Sequence, residues 1–144
     1  MVWVAAARLR TLPLSVAGIV VGNALAIGND GFCPYVFAGT LLTAVVFQIL
    51  SNFANDYGDG LKGTDNHERI GPKRVLQQNL LSAKTLFKGI VITAVIGFLL
   101  AAGTIAVAFE VGELKSVLVF LGLAVVAILA AYKYTAGKGA YGYH

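Results

Sequence analysis

The chain has 144 residues, of which 58% are hydrophobic and only 12% are charged, and its mean hydropathy is +0.78. A chain of this composition has too little polar surface to face water on all sides, which excludes an ordinary soluble domain and a disordered one. One cysteine and two separated histidines exclude an intramolecular disulfide and a zinc site of the usual spacing, and the net charge of +4 does not indicate a nucleic-acid partner.

The chain contains four long uncharged runs, which are separated by charged residues. Each run is close to or above the roughly 20 residues that a helix needs to cross about 30 Å of hydrocarbon. We therefore predict an all-α fold, a polytopic membrane helix bundle with about four transmembrane helices and a polar middle loop. The predicted spans are about 12–29, 33–54, 89–109 and 116–132, and the loop is 55–88.

The first run has two interpretations. Arg8 and Arg10 precede it, and the sequence ALA at 24–26 is similar to a small-residue cleavage site, as in a cleaved signal peptide. Pro13 instead fits the first turn of a membrane helix, where a proline costs no hydrogen bond. Three further runs follow, so the protein stays in the membrane under either interpretation.

The basic residues predict an orientation. Ten of the eleven Lys and Arg residues fall before the first span, in the middle loop or after the fourth span, and only Lys115 falls on the opposite side. By the positive-inside rule, both termini and the middle loop lie in the cytoplasm, and we expect a bacterial cytoplasmic (inner) membrane protein. Its basic rim suits anionic lipid headgroups or phosphate groups.

The middle loop has the densest set of charges, because eight of the 18 charged residues lie within 56–74. Just before it and into it, polar residues recur at spacings of three and four, which on a continuous helix gives one polar stripe. Polar groups at such depth usually face a cavity or a neighbouring helix. The stripe consists of Gln48, Asn52, Asn55, Asp56 and Asp59.

These residue types favour a site for a diphosphate with Mg²⁺. Two carboxylates one helical turn apart, beside amides, are hard oxygen ligands, and the following Lys and Arg side chains suit phosphate oxygens. The alternatives are a merely solvated loop, a transporter or channel subunit whose acids bind a permeating cation, and a structural or assembly subunit. The bases after Asp59 would repel a permeating cation, which favours the diphosphate.

The segments 51–65 (SNFANDYGDGLKGTD) and 68–74 (ERIGPKR) resemble the first aspartate-rich motif of the intramembrane aromatic prenyltransferases. They are most similar to the bacterial branch that prenylates 1,4-dihydroxy-2-naphthoate in menaquinone synthesis. The opening 8–13 and the closing 134–143 are similar to the same branch, so the resemblance covers the whole chain. It implies Mg²⁺-dependent transfer of a polyprenyl group from its diphosphate to 1,4-dihydroxy-2-naphthoate, which then loses CO₂. A prenyltransferase with another aromatic acceptor is the alternative.

The resemblance also implies roles for individual residues. The residues that it implies as Mg²⁺ ligands are Asn52, Asn55, Asp56, Asp59 and Asp65. Those implied at the diphosphate are Lys62, Arg69, Lys73, Arg74 and Lys138. Catalytic roles are implied for Asp56, Asp59 and Tyr134, and contact with the aromatic acid for Arg8, Arg10 and Asn52. Asp65 follows Asp59 by six positions, whereas many members have four.

Several of these residues have plainer alternative roles. Arg8, Arg10 and Lys138 also stand where basic side chains anchor helices at the membrane surface. The tyrosines near the end of the chain also suit an interfacial aromatic belt, and Phe98, Phe109 and Phe120 suit either the shelter of a polyprenyl chain or simple packing and lipid contact. The tyrosines in question are Tyr132, Tyr134, Tyr141 and Tyr143.

Length is the main departure from the resemblance. Members of the family are about twice as long, with about nine spans and a second aspartate-rich loop on the same face. We therefore expect this chain to be an N-terminal half, inactive alone. The partners implied are a polyprenyl diphosphate, an aromatic acid, the lipid bilayer and the missing C-terminal half.

Overall fold

The computed structural model describes residues 2–29, 31–63, 73–109 and 112–143, and these residues form helices and turns without a strand. Within these described ranges, four helical stretches are long and apolar enough to cross a membrane, counting the broken stretch Val2–Ile27 as one. The predicted all-α membrane helix bundle is confirmed, and the protein is a multi-pass membrane protein. The helices are α1 (Val2–Ala7), α2 (Leu12–Ile27), α3 (Pro34–Lys62), α4 (Ala83–Ala108) and α5 (Leu114–Lys133), with 3-10 turns at Leu9–Thr11 and Tyr141–Tyr143.

A break at Arg8 separates α1 from α2. Arg8 has a φ of 50°, in the left-handed region, and its carbonyl oxygen accepts hydrogen bonds from the amide and the hydroxyl of Thr11, both at 2.9 Å. Pro13 lies in the first turn of α2, where its missing N–H has no helical partner to lose. The chain thus turns sharply before it enters the bundle, and α1 is placed beside α3.

The helix α3 is the centre of the fold, since it contacts each of the other four helices. It begins at Pro34 and continues for 29 residues, to Lys62, where Gly63 with a φ of 69° ends it and donates its amide to the carbonyl oxygen of Asp59. It therefore extends eight residues beyond the predicted span, which ended at 54. Charged residues mark where a helix can leave the membrane, and they do not stop the helix itself.

The helix α4 also begins earlier than the predicted span. Ser82 caps it by accepting a hydrogen bond from the amide of Thr85 at 3.1 Å, so the helix starts at Ala83 and not near 89. Lys84 and Lys88 lie in its first turns, where long basic side chains reach the membrane surface. The described part of the predicted loop 55–88 is therefore largely helical at both ends.

The best-packed part of the molecule lies at the end of the bundle that carries the polar stripe. The indole of Trp3 lies 5.5 Å from the ring of Phe53 and against Gly89, where a Cβ atom would collide with it. The helices farther along expose many large apolar side chains, as lipid-facing helices do. The buried core consists of Ala6, Ala7, Leu50, Phe53, Ala54, Val75, Leu86 and Ile90.

Candidate functional site

Asp56 is buried in the last turns of α3, with 1% of its surface exposed. One carboxylate oxygen accepts a hydrogen bond from the amide of Val75 at 3.2 Å, and the other accepts one from the amide of Leu76 at 3.4 Å. Arg74 and Arg8 also interact electrostatically with this carboxylate. Asp56 therefore fixes the segment 73–76 against α3 through these backbone hydrogen bonds.

Asp59, one turn later, has side-chain partners on both oxygens. Arg74 forms an ion pair with Oδ2, and the hydroxyl of Tyr143 donates a hydrogen bond to Oδ1. The same nitrogen of Arg74 donates to the carbonyl oxygen of Asn55 at 2.8 Å, and Nζ of Lys62 lies 3.8 Å from the ring centre of Tyr143. A base from the segment after α3 and an aromatic ring from the end of the chain thus meet on one carboxylate.

Asn52 is buried one turn before Asp56, and its amide binds the beginning of the chain. Its nitrogen donates to the carbonyl oxygen of Ala7 at 2.8 Å and to the hydroxyl of Thr11 at 2.9 Å. Its oxygen accepts from Gln48 at 3.3 Å, and Gln48 in turn accepts from Ser15 at 2.6 Å. Gln48 and Asn52, the first two residues of the polar stripe, therefore hold the end of α1 and the start of α2 against α3.

The segment 134–143 packs across the end of α3. The hydroxyl of Thr135 is shared between the carbonyl oxygen of Ala54 at 3.0 Å and the side-chain oxygen of Asn55 at 3.1 Å. This approach depends on Gly58, because a Cβ atom there would collide with the backbone of Thr135. The last segment is thereby held where Tyr143 reaches Asp59.

The structure brings together many of the residues predicted from the sequence. Asn55, Asp56, Asp59, Lys62 and Arg74 form one cluster, and Arg8 acts on it through Asp56. The side chains of Arg10, Lys73 and Lys138 are exposed to solvent. Tyr134 is 46% exposed and stacks edge-on against Tyr141. Asp65 and Arg69 lie outside the described residues.

Two residues at this site were not assigned to it from the sequence. Tyr143 was placed only in the aromatic belt or the closing resemblance, and Thr135 received no role. Tyr143 is 84 positions from Asp59 and Thr135 is 80 from Asn55, so no local spacing relates them. Only the packing of the last segment on Gly58 reveals the contact.

The residues present fit a Mg²⁺ ion in donor chemistry. Within the described ranges no three His, Cys, Asp or Glu side chains come together, so a dedicated protein cage is not formed there. Mg²⁺ usually takes one or two carboxylates and completes its shell with water and substrate phosphates. Asp59 suits this role because Arg74 and Tyr143, which contact its carboxylate, are side chains that can move, whereas Asp56 accepts hydrogen bonds from backbone amides.

An apolar cavity of about 310 Å³ lies between α2, α3, α4 and α5. Phe47 lines it from α3, nine residues before Asp56, which corresponds to roughly 14 Å along a helix. Phe120 also lines it and stacks on Phe109 with ring centres 5.2 Å apart, whereas Phe98 is not among the lining residues. The cavity therefore lies in the apolar body of the bundle, away from the charged cluster.

The sequence is similar to curated proteins named 1,4-dihydroxy-2-naphthoate octaprenyltransferase. It is 44% identical over 143 residues to the protein of Haemophilus influenzae and 42% identical over 141 residues to that of Escherichia coli. A relative from Mycobacterium tuberculosis is 32% identical over 141 residues. The chain is thus similar to these prenyltransferases over almost its whole length. Each of these matches covers 98% of the chain but only 45 to 46% of the relative, so the chain spans under half the length of these proteins.

No family model matches the chain, and no solved structure matches it significantly. The similarity to the naphthoate octaprenyltransferases confirms the resemblance drawn from the motif at 51–65. In this chain, the described part of that motif forms the last turns of α3 and carries Asp56 and Asp59.

Proposed function

We propose that the chain contributes to transfer of a polyprenyl group from its diphosphate to 1,4-dihydroxy-2-naphthoate, with Mg²⁺, in menaquinone biosynthesis. The observation that supports this most is the convergence of Asp59, Arg74, Lys62 and Tyr143 at one end of a membrane helix. A carboxylate for a metal and bases for an anion within one small cluster suit a metal-bound diphosphate. The names of the relatives supply the acceptor and the octaprenyl donor class.

Each part of the cluster has a definite task in this reaction. Asp59 would hold the metal with Asn55, and Asp56 would keep the segment 73–76 in place. Arg74 and Lys62 would bind the diphosphate oxygens. Bound Mg²⁺ supplies a Lewis acid that stabilises the negative charge of the departing diphosphate.

The bond changes balance without a further reactant. The allylic C–O bond breaks, and diphosphate leaves with its electron pair. The electron-rich ring forms the new C–C bond with the allylic carbon. The bond between the ring and the carboxylate carbon then breaks, CO₂ leaves, and the electrons of that bond return to the ring. Exclusion of water by the apolar bundle protects the cationic carbon, and the cavity near Phe47 would hold part of the polyprenyl chain.

The setting of the reaction is also part of the proposal. We place the chain in the bacterial inner membrane with the cluster on the cytoplasmic side, because ten of the eleven Lys and Arg residues fall on that side. We further propose that residues 1–144 are inactive without the remaining helices of the family. The cation-transporter alternative is not favoured, since the Lys and Arg residues that follow Asp59 suit a bound diphosphate and would repel a permeating cation.

The test is prenyl transfer in membranes that contain the full-length protein, supplied with dihydroxynaphthoate, octaprenyl diphosphate and Mg²⁺. We expect the prenylated naphthol by mass spectrometry, its loss with EDTA, and its loss in Asp59→Ala. Asn29→Ala is the control, because the exposed side chain of Asn29 donates locally to the carbonyl oxygen of Leu25 in α2. Normal turnover by Asp59→Ala at saturating Mg²⁺ would show that the acid has no role in the reaction.

A further inference from the structure

The two oxygens of the Asp59 carboxylate have partners of different kinds. Oδ2 is paired with a cation, the guanidinium of Arg74, whereas Oδ1 accepts from a neutral group, the hydroxyl of Tyr143. Both side chains come from segments outside α3, and only 10% of the Arg74 side chain and 12% of the Asp59 side chain are exposed. The carboxylate is therefore neutralised and oriented within the chain itself.

We propose that Arg74 is an exchangeable counter-ion of Asp59, released to the diphosphate when a divalent cation binds this carboxylate, and that Tyr143 is a positioning residue that stays on Asp59 and orients it. The proposal rests on the proposed function, because it takes a metal-bound diphosphate as the ligand of this cluster. It adds two assignments, the exchange at Arg74 and the role of Tyr143.

The exchange at Arg74 follows from charge. A guanidinium and a divalent cation on the same oxygen repel each other, so binding of the metal to Oδ2 requires the guanidinium to leave. A diphosphate offers the departing guanidinium new oxygens, in the planar arrangement that arginine binds best. Arg74 also donates to the carbonyl oxygen of Asn55 at 2.8 Å, which keeps it near the site during the exchange.

Tyr143 has no such conflict with a metal. Its hydroxyl is neutral and donates to Oδ1, so it does not compete with a cation for Oδ2, the oxygen that Arg74 contacts. Its ring is held by Lys62, whose Nζ lies 3.8 Å from the ring centre. Groups that hydrogen-bond to a metal ligand orient it, and their loss typically costs about 10- to 100-fold in metal affinity.

The same 3-10 turn offers a matched control. The hydroxyl of Tyr141 donates to the carbonyl oxygen of Ala130 at 3.0 Å and does not reach Asp59. Tyr141→Phe and Tyr143→Phe therefore each remove one hydroxyl hydrogen bond and keep the ring. Only the second removes a partner of the carboxylate.

The experiment measures binding, not turnover, on the full-length protein in lipid nanodiscs. Mn²⁺ serves as the probe, by electron paramagnetic resonance, first alone and then with inorganic diphosphate. We expect Arg74→Gln to bind Mn²⁺ alone about tenfold more tightly and inorganic diphosphate about tenfold more weakly. We expect Tyr143→Phe to bind Mn²⁺ about tenfold more weakly and Tyr141→Phe to match the wild type.

Each outcome decides one point. Unchanged or weaker Mn²⁺ binding in Arg74→Gln overturns the exchange, and equal binding in the two tyrosine variants overturns the positioning role. If Arg74→Gln does not fold, Arg74→Lys replaces it: the competing charge remains and the planar group is lost, so only diphosphate binding should weaken. A wild type that binds neither probe contradicts the metal and diphosphate parts of the proposed function and this inference with them. A wild type that binds both, with all variants alike, overturns this inference alone.

Discussion

Replacing Gly58 by alanine should separate the last segment of the chain from α3. The added Cβ would meet the carbonyl group and the Cβ of Thr135, and backbone atoms cannot turn aside as a flexible side chain does. Overpacking of this kind typically costs about 1–3 kcal/mol. The hydroxyl of Thr135 would also lose its bonds to Ala54 and Asn55, worth about 1 kcal/mol for one shared donor.

The opposing term is helix propensity, since alanine is better than glycine in a helix interior by about 1 kcal/mol. We therefore expect Gly58→Ala to lower the free energy of unfolding by about 1–3 kcal/mol. Gly122 is the matched control, because it lies within α5 and nothing is within 4 Å of its added Cβ. Gly122→Ala should be neutral or stabilise the chain by up to about 1 kcal/mol.

The assay is unfolding of the 144-residue chain by sodium dodecyl sulfate in mixed micelles, followed by the fluorescence of Trp3, the single tryptophan. A double-mutant cycle with Thr135→Val makes the test specific. This variant should cost about 1 kcal/mol in the wild type and close to nothing in Gly58→Ala, where its hydrogen bonds are already broken. If Gly58→Ala is as stable as Gly122→Ala, the packing argument is refuted.

Three further predictions follow from the site and the charges. Asp56→Ala should lower the free energy of unfolding by about 2–4 kcal/mol in the same assay, because it leaves the amides of Val75 and Leu76 unsatisfied. For the exposed control Asn29→Ala we expect a loss below about 0.5 kcal/mol, and a loss as small as this in Asp56→Ala would contradict the prediction. An impermeant amine reagent applied to intact cells should label Lys115 but not Lys62 or Lys73, and labelling of the latter pair would reverse the orientation. Residues 1–144 alone should give no prenylated naphthol, and co-expression of the remaining helices of the full-length protein should restore some; full activity of the chain alone would disprove the need for them.

Much of the fold follows from hydrophobicity and charge. Long uncharged runs identify the four membrane-crossing stretches, because lipid demands continuous apolar helices. The ends of the helices are less predictable, as α3 shows by continuing to Lys62 and α4 by starting at Ala83. Charged residues mark where a helix leaves the membrane. The helix itself begins or ends at a capping residue such as Ser82 or at a left-handed glycine such as Gly63.

The site is predictable from the sequence only along α3. Asp56 and Asp59 are close because they are one turn apart on one helix, and periodicity detects that relation directly. The contacts of Thr135 and Tyr143 join residues about 80 positions apart. They depend on the path of the chain after α5, which brings the segment 134–143 back to the end of α3. The residue type of Arg74 and the resemblance of the segment 68–74 indicate a contact with the diphosphate, but the pairing of Arg74 with Asp59 depends on the path of the chain after α3.

The two acids of the motif are chemically alike in the sequence but differ in what they are free to do. Asp56 holds two backbone amides, and moving its carboxylate would release the segment 73–76 from α3. Asp59 contacts the side chains of Arg74 and Tyr143, which can exchange partners without moving the backbone. Loss of activity on substitution therefore has different meanings at the two positions. At Asp56 it must be corrected for loss of stability, whereas at Asp59 a loss of metal affinity without a loss of stability would identify a direct ligand.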